Sequence, residues 1–129
     1  MGYFFGNGFA SPQGGSGGGG GNAGKYLSAP LSAGVTDDFN PGSGWPGKFG
    51  RLDLVPAGAA TLNSLVAGAD GQEVILRNAS ATQTITIPVG GGGSAANEFT
   101  GGGGGAILPP LTAKLIVYYA GVINNWVLV

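Results

Sequence analysis

The acidic side chains are the residues of this sequence that come closest to a catalytic arrangement. They form two clusters, Asp37 with Asp38 and Asp70 with Glu73. General acid–base catalysis needs a carboxyl group with a shifted pKa in a cleft, and glycoside hydrolysis needs two carboxyl groups facing a substrate groove. The residues around both clusters indicate no such groove. Asp70-Gly71 instead predicts a turn before a strand, and Asp37-Asp38 predicts a solvated loop.

Histidine and cysteine are both absent from the 129 residues. A Ser-His-Asp triad, a thiol nucleophile and a thiolate zinc site are therefore excluded. A calcium site at Asp37 and Asp38 with Asn40 stays open as an alternative, because calcium binds clustered oxygen ligands, although the loop spacing of a calcium-binding hand is missing. We predict a protein that is not an enzyme, with no catalytic residue, no cofactor and no metal.

Three glycine-rich runs, at residues 14–21, 90–93 and 101–105, invite comparison with phosphate-binding loops. None of them ends in the Gly-Lys-Ser/Thr sequence that supplies a cation and a magnesium ligand, and none leads into a helical pattern. Nucleotide binding is therefore not expected. The two later runs are predicted to be loops, and the alternative is polyglycine segments packed between the chains of a multimer.

Charge is sparse, at 9% of residues against roughly 25% in an average soluble domain. The basic residues lie singly, at Lys25, Lys48, Arg51, Arg77 and Lys114. Without a basic patch, nucleic acid is not an expected partner. A membrane is not expected either, because no segment approaches the ~18 apolar residues of a spanning helix. The N-terminus lacks the basic and apolar regions of a secretory signal, so we expect synthesis in a cytoplasm.

Short β-prone segments separated by turn residues follow one another from Leu52 onward. Ile85 and Ile87 alternate with threonines, as a half-buried strand requires. The last two strands are predicted to form a hairpin through residues 120–121 or 124–125, and residues 59–67 are the one candidate for a short helix. The predicted strands are 52–55, 73–77, 83–87, 114–119 and a last one ending at 129. This pattern predicts an all-β fold, a small sandwich or barrel.

Composition divides the chain into two parts. Residues 1–50 are predicted to be an extended Gly/Pro-rich arm, and residues 51–129 a β-rich head module. The aromatic residues of the arm are expected to be its anchors on another protein, because aromatic side chains often dominate interfaces. These anchors are Tyr3, Phe4, Phe5, Phe9, Phe39 and Trp45. Tyr118, Tyr119 and Trp126 are expected to be core or oligomer contacts of the head.

Several motifs occur in a recognisable order in the second half of the chain. DGQEVILRN at 70–78 is followed by QTITI at 83–87, by Asn97-Glu98-Phe99, and by ILPP at 107–110. LIVYY at 115–119 and NWVL at 125–128 complete the series. This order resembles a recurrent β-module of structural proteins of tailed bacteriophages.

The resemblance implies a compact, usually trimeric β-structure that forms part of a virion. We therefore expect a capsid decoration (cement) or head-fibre protein, which binds the major capsid protein or another virion protein through residues 1–50. One alternative is a tail-fibre or tail-tip adhesin that presents the glycine loops to a receptor. Another is a small lectin-like domain that binds sugars with Tyr118, Tyr119 and Trp126.

Overall fold

The computed structural model describes residues 25–42, 44–45, 47, 49–121 and 123–129. These residues form ten strands and a single 3-10 helix (Ala95–Asn97), so the predicted all-β fold is confirmed. The strands are β1 (Tyr26–Leu31), β2 (Gly34–Thr36), β3 (Arg51–Pro56), β4 (Ala60–Leu62), β5 (Glu73–Asn78), β6 (Ile85–Pro88), β7 (Phe99–Gly101), β8 (Gly105–Leu108), β9 (Ala113–Tyr119) and β10 (Asn125–Leu128).

The strands form two sheets. The large sheet has six strands in the order β1-β3-β5-β9-β10-β7, and the small sheet has four in the order β2-β4-β6-β8. Strands β1, β3 and β5 are parallel, and so are β2, β4 and β6. Strand β9 is antiparallel to β5, and β8 is antiparallel to β6.

The parallel pairing makes the first half of the described chain a solenoid of three turns. In each turn a strand of the large sheet is followed by a strand of the small sheet: β1 and β2, then β3 and β4, then β5 and β6. Tyr26 pairs with Arg51 and Arg51 pairs with Ile75, so one turn takes 25 residues and the next takes 24. Strands β9 and β8 then close the third turn in the antiparallel direction.

The core lies between the two sheets and follows the two-residue period of the strands. Leu52, Leu54 and Leu76 face inward from the large sheet, and Ile85 and Ile87 face inward from the small sheet, all fully buried. Every turn of the solenoid contributes to this core, since Ala29 and Leu31 of β1 belong to the same cluster. Burial of these side chains is the main stabilising contribution to the fold.

The structure corrects the predicted arm of residues 1–50, because residues 26–36 form β1 and β2 of the two sheets. The prolines of this segment had favoured an extended connector. Pro30 is nevertheless compatible with β1, since proline is tolerated on an edge strand where its missing N–H faces away from the neighbour. Residues 1–24, including the predicted anchors Tyr3, Phe4, Phe5 and Phe9, lie outside the described residues.

Two local predictions have opposite outcomes. The C-terminal hairpin is confirmed: β9 and β10 are antiparallel, and Gly121 (φ 79°) and Asn124 (φ 53°) take the positive φ values that their turn requires. The short helix predicted for residues 59–67 is wrong, because this segment forms β4 and then pairs singly with Phe39 through Leu65. Stacking on the neighbouring turns outweighs a weak local helical preference.

Candidate functional site

Three of the aromatic residues singled out in the sequence meet in one buried cluster. The Trp126 ring lies 5.1 Å from Tyr118, edge to face, and 5.8 Å from Trp45, measured between ring centroids. Trp126 Nε1 donates to Leu65 O at 3.0 Å, and Trp45 Nε1 donates to Val66 O at 2.9 Å. Both indole N–H groups therefore donate to consecutive backbone carbonyls of the loop between β4 and β5.

The cluster leaves no space next to the Trp126 ring. A Cβ added to Gly68 would lie 2.7 Å from Trp126 Cη2, so the ring can pack there because residue 68 is glycine. Burial raises the pKa of the Tyr118 hydroxyl, which remains a neutral donor to Ala96 O at 2.7 Å. These aromatic groups stabilise the fold of their own chain.

The remaining predicted contacts have different positions. Trp45, expected as an anchor on another protein, is 9% exposed and belongs to the core of this chain. Phe39 is half-buried against the same core and pairs with Leu65. Tyr119 points to the opposite face of its strand and is 43% exposed. A sugar-binding surface built from Tyr118 and Trp126 is therefore not available in this fold.

A polar cluster around Asp38 links the loops that follow β2, β4 and β6, one from each turn of the solenoid. The Asp38 carboxylate accepts hydrogen bonds from Ser94 N at 2.8 Å and from Asn97 Nδ2 at 2.9 Å. Its backbone N–H donates to Ser64 Oγ at 2.6 Å. In the adjacent position, Asn63 Nδ2 donates to Asp37 Oδ1 at 2.8 Å. The cluster joins three loops that are distant in sequence.

Hydrogen bonds within the chain already engage Oδ1 of Asp37, Asp38 and Asn40, the three residues considered for a calcium site. Asp38 Oδ1 accepts three of the hydrogen bonds of this cluster, and Asn40 Oδ1 accepts one from Gly42 N at 3.0 Å. Within the described part of the chain, no group of three or more His, Cys, Asp or Glu side chains could hold a metal ion. The Asp38 cluster therefore has the chemistry of a structural link between loops.

Asp38 should contribute stability that depends on pH. The hydrogen bond from Asn97, followed by the one from the Ser94 backbone, holds the pKa of the Asp38 carboxyl below its ordinary value. A lowered pKa stabilises the fold above about pH 4, and this stabilisation is lost as the pH falls through the lowered value. Asp38→Asn should remove this dependence, so acidification from pH 6 to pH 3 should lower its denaturation midpoint less than that of the unchanged protein.

Urea denaturation at several pH values measures this difference. Asp37→Asn is the matched control, because the Asp37 carboxylate accepts the single bond from Asn63 and makes fewer contacts between loops. An Asp38→Asn protein that loses stability with acid as steeply as the unchanged protein would show that Asp38 is not the responsible group.

A second buried polar group, Asn78, fixes the corner after β5. Its Nδ2 donates to Gln83 O at 2.7 Å and to Leu108 O at 2.9 Å, with Pro109 O at 3.3 Å. Its Oδ1 accepts from Ser80 N at 2.9 Å. Asn78 is fully buried, so its side chain has a structural role at the corner formed by residues 78–80.

The outer face of the large sheet carries an apolar patch, formed by Ile75, Leu115, Val117, Val127 and Val129. Ile75 pairs with Leu115 and Val117 pairs with Val127, so these side chains are neighbours across β5, β9 and β10. Ile75 is 44% exposed and Val129 is 61% exposed, whereas Val117 is 8% exposed and is covered by its neighbours. The exposed members of the outer apolar patch are therefore available to another molecule.

An ion cluster borders this patch. Asp53 is nearly buried on the outer face, with Arg51 Nε at 2.8 Å and Arg77 Nη1 at 3.6 Å from its carboxylate oxygens. The Arg51 guanidinium also lies 4.5 Å from the centroid of the Tyr26 ring. Both arginines thus have partners on the same sheet, and the cluster resembles a structural ion pair more than a ligand site.

A shallow depression of about 350 Å³ lies beside the 3-10 helix and is lined by Ala95, Ala96, Glu98, Ile123, Asn124 and Asn125. Its amide groups bind within the chain: Asn125 Nδ2 donates to Ala95 O, and Asn124 Oδ1 accepts from Gly121 N. Glu98 is its single carboxylate, so the depression does not offer the paired carboxylates of a glycosidase.

Comparisons with protein-family models, curated proteins and solved structures find no match for this chain. Among the described residues, no helix has both the length and the apolar character needed to cross a membrane. The class of protein is accordingly given by the fold alone. It is an all-β chain of two sheets, in which three solenoid turns stack with their strands parallel.

Proposed function

We propose that this chain is a non-enzymatic structural protein of a tailed-bacteriophage particle, most simply a capsid decoration or head-fibre protein. The observation that carries the proposal is the order of sequence motifs, which follows the structural elements of the second half. DGQEVILRN ends in β5, QTITI leads into β6, ILPP ends β8, and LIVYY and NWVL form β9 and β10. Each of these motifs thus coincides with a strand or the end of a strand, as the resembled β-module requires, and the step from this module to a particle role rests on analogy.

The polar groups of the described residues support a structural role. Asp38, Asn78 and Asp70 each bind backbone groups or loop side chains of the same chain, and Asp70 Oδ1 accepts from Ala120 N at 3.0 Å. General acid catalysis at neutral pH requires a carboxyl group with a raised pKa, whereas the pKa of Asp38 is lowered. The structure thus uses these side chains to join loops.

Assembly is proposed to use two surfaces. The outer apolar patch is proposed to contact further copies of the chain in a trimer, because an exposed apolar face of this kind is typical of interfaces. Residues 1–24 are proposed to contact the major capsid protein or another virion protein. The segment proposed to bind the particle is therefore residues 1–24 and no longer residues 1–50, because β1 and β2 are part of the two sheets.

Deletion of residues 1–24 should abolish incorporation of the protein into particles. The core of the two described sheets lies within the remaining residues, so the shortened chain should remain folded and unfold cooperatively in urea. Incorporation is measured by quantitative mass spectrometry of purified particles that are supplied with either form of the protein. Equal incorporation of the two forms would contradict the proposed role of this segment.

A separate binding experiment tests the adhesin alternative. The turn between β7 and β8 consists of residues 102–104, and a Cβ at Gly103 or Gly104 would contact nothing within 4 Å. This turn is therefore open to solvent, as a receptor-binding loop would be. Binding of the purified full-length protein to host cells, with loss of binding when this turn is replaced, would favour an adhesin over a decoration protein.

A further inference from the structure

The first turn of the solenoid leaves an open sheet edge at one end of the described structure. Strands β1 and β2 each have a hydrogen-bonded neighbour on one side alone, β3 and β4 respectively. At the other end of the parallel stack, β9 and β8 cover the third turn. An uncovered edge is a template for another strand, and folded proteins usually block or cover it.

The hydrogen bonds show which backbone groups of the edge have no partner among the described residues. Ala57 N donates to Leu31 O, and Gly50 N donates to Lys25 O, so the odd-numbered residues of β1 face β3. Successive residues of a strand point their backbone groups to opposite sides. The N–H groups of Tyr26 and Ser28 consequently point away from β3.

Strand β2 has the same arrangement. Gly34 N donates to Ala59 O, and Asn63 N donates to Thr36 O, so these two residues of β2 face β4. The N–H and C=O of Val35, between them, point to the open edge. The edge therefore offers donors and acceptors in both sheets at the same end of the solenoid.

Strand-forming side chains lie one solenoid turn before β1 in the sequence. Gly34 pairs with Ala60 and Ala60 pairs with Ile85, which gives turns of 26 and 25 residues in the small sheet, beside 25 and 24 in the large one. Counting back one turn of 25 residues from β1 leads to residues 1–6, which include Tyr3, Phe4 and Phe5. One turn before β1, the chain thus has β-prone aromatic residues.

We propose that residues 1–24 of the same chain dock on this open edge and pair with β1 and β2 as a further parallel turn. The segment ends where β1 begins, so the tether gives it a high effective concentration at the edge. A second copy lacks this tether, so at ordinary protein concentrations it competes poorly for the same edge. This inference goes beyond the particle role and does not depend on it, and the two are compatible because the outer side of an added turn stays accessible to another virion protein.

Amide hydrogen exchange of the full-length protein in solution tests the proposal. The amides of Tyr26, Ser28 and Val35 should exchange at least about 100-fold more slowly than in an unstructured peptide, because they donate to the added turn. This protection should not change on tenfold dilution. Replacement of Tyr3, Phe4 and Phe5 by glycine should remove it, while the central amide of Leu76 stays protected and shows that the fold is intact.

Ser28→Pro provides a second test from the side of the edge. Proline at residue 28 removes an N–H that β3 does not use, so β1 should remain paired with β3 while the added turn is lost. The amides of Tyr26 and Val35 should then exchange rapidly. Rapid exchange of all three edge amides in the unchanged protein would overturn the proposal. Protection that falls on dilution would overturn it as well, because it would identify a second copy as the occupant.

Discussion

Trp126→Ala should destabilise the protein by about 4 kcal/mol, the range found for large aromatic side chains removed from a core. The ring is fully buried between Trp45 and Tyr118, and its Nε1 holds Leu65 O. The close approach of Gly68 indicates that the surrounding backbone is shaped to this ring. A domain of this size has a total stability of about 5–15 kcal/mol, so the loss should be between roughly a quarter and four fifths of the total.

Two matched variants separate the causes of this loss. Trp126→Phe keeps most of the buried ring but leaves Leu65 O without its donor, which should cost about 1–3 kcal/mol. Tyr119→Ala removes an exposed aromatic ring from the neighbouring strand and should cost less than about 1 kcal/mol. Urea denaturation followed by far-ultraviolet circular dichroism measures all three. A loss below about 1 kcal/mol in Trp126→Ala would mean that the cluster is not part of the core.

Asn78→Ala should destabilise the protein by about 3 kcal/mol, because it leaves buried carbonyl groups without a donor. The Asn78 side chain is the link between the end of β5, the corner at residues 79–84 and the end of β8. Asn78→Asp is a sharper variant, since it keeps the shape of the side chain but replaces the Nδ2 donor by an oxygen that faces the carbonyls of Gln83 and Leu108. Its loss should be at least as large.

Asn63→Ala is the matched control for Asn78. The Asn63 side chain makes an exposed hydrogen bond to Asp37, so its removal should cost less than about 1 kcal/mol. The two alanine variants remove the same chemical group from two corners of the same solenoid. Equal losses in urea denaturation would show that burial of the Asn78 amide does not matter, contrary to the role given to it here.

Much of the second half of the fold could be predicted from local sequence pattern. The alternation of Ile85 and Ile87 identified β6, and the apolar run at 114–119 identified β9 to within one residue. Asn124 and Gly121 indicated the hairpin because few other residues accept a positive φ. These elements pair with near neighbours in sequence or have strong periodicity, so local information is enough.

The parallel stacking of the first half has no comparable local signal. Strands β1, β3 and β5 have the sequences YLSAPL, RLDLVP and EVILRN, and no repeat of residue types marks their 24- to 25-residue spacing. Pro30 and Gly34 also interrupt any strand pattern in β1 and β2. Their pairing becomes favourable only when the neighbouring turns are in place, which is a tertiary effect that β-propensity does not report.

The side-chain clusters also divide into those that the local sequence predicts and those that depend on the tertiary fold. The Trp126 and Tyr118 contacts could be anticipated as core, because large aromatic residues on a strand next to a turn are usually buried. The Asp38 cluster could not, since Ser94 and Asn97 are more than fifty residues away in sequence. The outer apolar patch also depends on the register of β5, β9 and β10, which brings Ile75 beside Leu115.

That this chain is a structural part of a virus particle is tested most directly by counting it there. Particles purified from cells that produce the full-length protein should contain it in fixed copy number relative to the major capsid protein, measured by quantitative mass spectrometry after density-gradient separation. The copy number should be a multiple of three if the proposed trimer is the assembling unit. Full-length protein that remains entirely in the soluble fraction, with none in the particle band, would contradict the proposed function.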